Sequence, residues 1–142
     1  MQVAALCFRT LENNKNEFLL ITSRDTGRWI LPKGWPIDGK SDLQAALQEA
    51  WEEAGVYTYK AFDSPVGHYF YQKRIKAGLK IDVKATVYAV EVKKMKKKYP
   101  ESFQRMRAWY TVDQASTLVD EPGLKSIFQR FDPELLCSKS LK

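Results

Sequence analysis

The chain has 142 residues, 44% hydrophobic and 28% charged, which is enough for one domain with a substantial core. Its formal charge is +6, and Lys93, Lys94, Lys96, Lys97 and Lys98 supply five of those positive charges in one run, so the basicity is local. Two cysteines and one histidine exclude a disulfide framework and a zinc site built on paired histidines, and no G-x-S-x-G elbow is present for a serine hydrolase.

Residues 2–9 read as a first buried strand, followed by an Asn-rich turn over 11–16. Phe18–Thr22 is a second strand ending in Ser23 and Arg24; after a turn at 25–27, Trp29–Leu31 is a short third strand. A Gly- and Pro-rich loop then leads to a helix. Ser41 with Gln44 three residues later has the form of a capping box, and Gly55 fits the position just past the helix end. Between them Leu43, Ala46, Leu47, Ala50 and Ala54 recur at helical spacing as a core stripe. Val56–Ala61 is extended. Val66–Arg74 and Leu79–Val92 form a hairpin about Gly78, with alternating Ile81, Val83, Ala85, Val87 and Ala89 in its second arm. The lysine run with Tyr99 and Pro100 is expected as a loop, Ala108–Val112 as a strand and Asp113–Leu118 as a short helix. Leu124, Ile127, Phe128 and Phe131 mark a C-terminal helix opening near Pro122. Strands on both sides of a central helix predict an α/β fold with a mixed sheet covered by helices.

No apolar run approaches the ~20 residues of a membrane span. A strand-like segment follows Met1 almost at once, so the expectation is a cytoplasmic domain without a signal peptide, with Cys7 and Cys137 as plain thiols. The lone His68 reads as a packing residue in a strand.

The central helix carries Glu49 and Glu53 one turn apart with Glu52 beside them. Like charges at this spacing destabilise a helix by a few tenths of a kcal/mol, and the dipole disfavours anions in the last turn. A hard divalent cation removes the conflict, and oxygen ligands of this kind suit magnesium. Metal-assisted chemistry is what the composition leaves open.

This stretch resembles the Nudix box. Gly34, Glu49, Glu52, Glu53, Gly55 and Val56 stand at the matching positions, with Ala50 at an apolar one. Lys40 replaces the family's early Glu and Gln48 its Arg, two residues that commonly pair, so a structural pair is lost rather than the metal site. Shorter segments, among them ALCFR, RWILP and the R-x-R-x-W-Y of Arg105 to Tyr110, are similar to diphosphoinositol polyphosphate phosphohydrolases, which also cleave diadenosine polyphosphates. In that branch the loop before the box is glycine-rich; here Lys33, Trp35 and Pro36 stand in it.

The resemblance implies an α/β/α sandwich binding Mg2+, with Mn2+ as the other candidate. It implies that Glu49, Glu53 and the Lys33 carbonyl hold metal, and that Glu52 holds a second ion or activates water. Ser23, Arg24, Lys33, Gly34, Arg105 and Arg107 would meet substrate, with Arg28, Lys73 and Arg74 as weaker candidates. The expected activity is hydrolysis of a phosphoanhydride in an inositol-pyrophosphate-like or nucleoside-diphosphate-linked small molecule. The alternative is a diadenosine polyphosphate or other nucleotide hydrolase, in which Trp35, Tyr69 or Tyr71 would stack adenine; each is equally explained by packing. A third reading, a non-catalytic module with the lysine run on nucleic acid, is disfavoured by the carboxylate trio and by lysines without interleaved aromatics. No membrane partner is expected, and monomer and homodimer are both compatible with the sequence.

Overall fold

The computed structural model describes residues 1–139, with side chains through Leu136, so Cys137 lies outside the described side chains. The strands are β1 (Gln2–Thr10), β2 (Asn16–Thr22), β3 (Trp29–Ile30), β4 (Lys33–Gly34), β5 (Val56–Ala61), β6 (Gly67–Lys76), β7 (Leu79–Met95) and β8 (Arg107–Thr111). The helices are α1 (Asp42–Ala54), α2 (Val112–Leu118) and α3 (Pro122–Arg130), followed by a 3₁₀ segment, Pro133–Lys139.

All eight strands join one mixed sheet, whose main path runs β3-β2-β1-β7-β5. Only β1 and β7 pair in parallel, from Gln2↔Ala85 to Phe8↔Glu91; the other pairs are antiparallel. β1 is buried on both faces, which is why its sequence is a continuous apolar run rather than an alternating one. Ala4, Leu6 and Phe8 face a core shared with Ala115 of α2 and Leu124, Ile127 and Phe128 of α3. Val3, Ala5 and Cys7 face the opposite core, with Leu43, Ala46, Ala50 and Ala54 of α1. The result is the expected α/β/α sandwich, with α1 alone on one face. Cys7 is fully buried, and burial pushes its thiol up to about 12, as suits an inert core residue.

The caps of α1 form as the sequence predicts. The Gln44 amide donates to Ser41 Oγ at 3.1 Å, and the Ser41 amide to Gln44 Oε1 at 2.8 Å. Gly55 closes the helix in the left-handed region at φ 75°. Ala45 is also fully buried, whereas Leu47 is only partly covered. No helix among the described residues is long and apolar enough to cross a membrane.

Three expectations change. Lys93 and Lys94 belong to β7, which continues to Met95 because β5 pairs with it through Val56↔Met95 and Thr58↔Lys94. Backbone pairing thus overrides the run's polarity, and lysines beside an edge strand also discourage further pairing. Lys33 and Gly34 form β4, a short strand pairing with Ala4 and Val3, rather than plain loop. His68 is exposed on β6, edge-on to the Phe70 ring at 5.6 Å, rather than packed in the core.

Gly55 and Gly39 separate two reasons for glycine. Both have positive φ, but a Cβ on Gly55 would lie 2.6 Å from Tyr99 and 2.8 Å from the Lys96 carbonyl, while one on Gly39 meets nothing within 4 Å. Gly39→Ala is expected to cost about 1 kcal/mol from backbone strain alone, and Gly55→Ala about 2–3 kcal/mol. Equal losses in urea unfolding would show that the ring and carbonyl do not crowd Gly55.

Candidate active site

The site forms where β4 crosses in front of α1. The Ala5 amide donates to the Pro32 carbonyl at 2.9 Å and β4 pairs with β1, so the loop is pinned to the centre of the sheet. A Cβ on Gly34 would overlap the Glu49 carboxylate, so only glycine lets that side chain lie against the strand. The Lys33 amide donates to Glu53 Oε1 at 3.1 Å. On its other side Glu53 Oε2 lies 3.5 Å from Arg105 Nη2, and both side chains are nearly buried (9% and 7% exposed). Arg105 also donates from Nε to Glu101 at 2.8 Å and from Nη1 to the Thr22 carbonyl at 3.1 Å. One guanidinium thereby joins α1, the end of β2 and the loop before β8.

Burial is the main force raising the proton affinity of Glu49, to about 8; its hydrogen bond with Glu53 and the charges of Glu53, Glu52 and Glu101 add to it. Glu53 is also raised by burial, against the opposing pull of Arg105, its bond to Glu49 and the Lys33 amide. Both carboxylates are thus held toward their protonated forms. Burial lowers Lys33 to about 8, with Glu53 opposing, and its Nζ lies 4.7 Å from the centre of the Tyr71 ring.

Among the described residues, no three His, Cys, Asp or Glu side chains converge at metal-ligand spacing. The hard oxygens that could hold a cation here are those of the Glu49 and Glu53 carboxylates, with the Lys33 carbonyl on the adjacent strand. That set fits an ion which takes one or two carboxylates and fills its other positions with water and phosphate oxygens, as magnesium does.

The pair opens into a cleft of about 1010 Å³. Ser23, Arg24, Lys33, Gly34, Glu49, Glu53 and Arg105 all line it, as do Arg28, Lys73 and Arg74. Glu52 and Arg107 are not in that lining. Glu52 Oε2 accepts from Gln48 Nε2 at 3.0 Å, one turn back along α1. Arg107 donates to the Ala54 carbonyl at 2.8 Å and lies 4.7 Å over the Tyr99 ring, so it holds the end of α1. Arg24 is exposed at the rim, bonded to Gln104 at 2.9 Å, while Ser23 Oγ bonds Thr26 at 2.7 Å.

Sequence reasoning missed Glu101, Lys76 and Lys80, which also line the cleft. The two lysines flank the predicted Gly78 turn, so hairpin register was the available signal. Glu101 follows the lysine run in an irregular loop whose amide bonds the Glu52 carbonyl at 2.9 Å, and no local pattern marks it. Of the aromatics weighed for stacking, Tyr69 and Tyr71 are buried in the core, with the Tyr71 hydroxyl donating to Gln2. Trp35 is 48% exposed and borders the cleft.

The NUDIX domain family matches residues 1–131. Among named relatives, the chain is 31% identical to Nudix hydrolase 13, mitochondrial, of Arabidopsis thaliana over 83% of its own length and 60% of that protein. It thus spans about three fifths of the Arabidopsis relatives, whose names carry a mitochondrial location where the sequence suggested cytoplasm. It is 29% identical to the asymmetrical bis(5'-nucleosyl)-tetraphosphatase of Sus scrofa, over 90% of this chain and 86% of that one. In fold it is similar to a Caenorhabditis elegans Ap4A hydrolase, with TM-score 0.69 and 20% identity over 94% of this chain and 96% of that one. It is similar too to a NUDIX protein of Listeria monocytogenes, with TM-score 0.70 and 17% identity over 100% of this chain and 98% of that one. The box at the β4–α1 crossing and the family match over nearly the whole chain agree: the chain belongs to the NUDIX domain family.

Proposed function

We propose that the protein is a divalent-metal-dependent pyrophosphohydrolase acting on a dinucleoside polyphosphate of the diadenosine type. The observation that carries this reading is the Glu49–Glu53 carboxylate pair in a cleft lined by cations and bordered by an exposed tryptophan. The sequence placed an inositol pyrophosphate first. The named relatives favour the nucleotide alternative, since one is a bis(5'-nucleosyl)-tetraphosphatase.

Glu49 and Glu53 are the residues to hold magnesium or manganese. Bound there, the ion would neutralise the phosphoanhydride and supply an activated water. Glu53 is held in one orientation by the Lys33 amide and Arg105, and Glu49 by its contact with Gly34. Glu52 lies outside the cleft lining while Glu101 is part of it, with its Oε1 held by Arg105, so Glu101 is the carboxylate placed to orient the attacking water. Arg28, Lys73, Arg74 and Lys80 give the cleft a cationic wall for the phosphate chain. Trp35 offers an open ring face for a purine.

Two measurements test this. Glu53→Gln keeps an acceptor for the Lys33 amide but loses a charge, so kcat should fall by about two orders of magnitude or more with the melting curve little changed. Retention of wild-type magnesium-dependent turnover would remove Glu53 from the site. Trp35→Ala should raise KM for diadenosine tetraphosphate about tenfold, as expected for one lost base stack, and leave an inositol pyrophosphate unaffected. A wild-type kcat/KM higher for the inositol pyrophosphate than for the dinucleotide would overturn the substrate assignment.

A further inference from the structure

Tyr57 and Tyr59 of β5 are 49% and 42% exposed. With Val56 of the same strand and Leu47, Gln48 and Trp51 of α1 they line a second groove of about 430 Å³. At about 100° per residue, these α1 side chains stand on the opposite side of the helix from Glu49 and Glu53. The groove shares no lining residue with the cleft.

Its chemistry is aromatic and cationic. No acidic side chain lines it, and Lys40 stands at its edge. Lys40 and Gln48, the two places where the box departs from its family's pattern, both lie on this groove, and Lys40 puts a positive charge where a carboxylate is usual. Lys96 Nζ sits 4.0 Å over the Tyr57 ring, and Trp51 lies 6.1 Å from Tyr57 and 6.5 Å from Tyr99 between ring centres. The β5–β7 pairing sets Val92 opposite Tyr59 and Met95 opposite Val56, which carries the chain on to Lys96 beside the tyrosines. In the sequence the lysine run has no aromatics within it. The fold brings them alongside from β5 and α1.

We propose that this groove binds single-stranded nucleic acid, with bases stacking on Tyr57, Tyr59 and Trp51 and with Lys40 and Lys96 neutralising phosphates. Stacking of this kind tolerates any base, and lysines beside the rings track the backbone by releasing its counterions. A neutral apolar partner would desolvate the lysines without supplying opposite charge, so the groove favours a polyanion with flat faces.

Fluorescence anisotropy with a short fluorescein-labelled oligouridine at low salt tests this directly. The intact protein should bind saturably, and Tyr57→Ala/Tyr59→Ala should weaken binding about tenfold or more. Tyr57→Leu/Tyr59→Leu, which keeps apolar cover without rings, should show the same loss with an unchanged melting temperature. Lys40→Gln/Lys96→Gln should flatten the salt dependence. Hydrolysis of diadenosine tetraphosphate should be unchanged in these variants, and oligouridine binding should persist in Glu53→Gln, so this site stands or falls apart from the hydrolytic one. The proposal is overturned if the intact protein does not bind, if the tyrosine variants bind equally well, or if diadenosine tetraphosphate displaces the oligonucleotide. It is also overturned if sedimentation shows the tyrosine changes splitting a dimer while oligouridine affinity stays the same, because the groove would then be a contact between two copies.

Discussion

Two carboxylates one helical turn apart, Glu53 buried and Glu49 half-buried beside it, are the constraint around which the rest of the site is arranged. Left alone, they would force the end of α1 to open or to keep a proton. The fold blocks the first escape, because Gly34 closes over Glu49, and the Lys33 amide and Arg105 hold Glu53 from both sides. Arg105 is itself buried, and a buried guanidinium is tolerable only when its donors are used; here Glu53, Glu101 and the Thr22 carbonyl take them. A second, part-buried pair, Arg28 with Glu121 at 2.7 Å, ties the cleft wall to the start of α3 on the other face of the sheet. The cleft is thus fastened to both helical layers.

The charge that surrounds the pair is divided between two sides of α1. Lys73, Arg74, Lys76 and Lys80 come from the β6–β7 hairpin and wall the cleft. The lysine run of 93–98 does not line the cleft, whose other cations are Arg24, Arg28, Lys33 and Arg105. Positive charge on the far side of α1 then needs its own explanation, which the aromatic groove supplies.

How much of this could be read in the sequence follows from how local each signal is. The α1 caps involve residues three apart, so Ser41, Gln44 and Gly55 announced themselves, as did the apolar stripe between them. The alternation in β7 and the unbroken apolar run of β1 encode one-sided and two-sided burial. Neighbouring carboxylates marked the acidic helix, but helical spacing alone could not say which would turn into the cleft. That depended on Gln48 capturing Glu52 and on β4 crossing in front of Glu49. Arg107 was misjudged for the same reason, since its partner, the Ala54 carbonyl, lies 53 residues away. Glu101 was invisible because it sits in an irregular loop, where its i,i+4 spacing to Arg105 belongs to no helical pattern that would mark the pair. Lys93 and Lys94 read as loop because their strand partner sits on β5, far back in the chain.

The most direct test of the carboxylate pair is the count of protons released when magnesium binds, measured by calorimetry in buffers of different ionisation enthalpy. Burial keeps Glu49 protonated up to about pH 8 in the metal-free protein, and a cation requires the ionised form. At pH 7 magnesium binding should therefore release close to one proton per chain, the number should shrink as the pH is raised past 8, and Glu49→Gln should abolish it. Tight magnesium binding with no proton released at pH 7, or release unchanged in Glu49→Gln, would contradict the account.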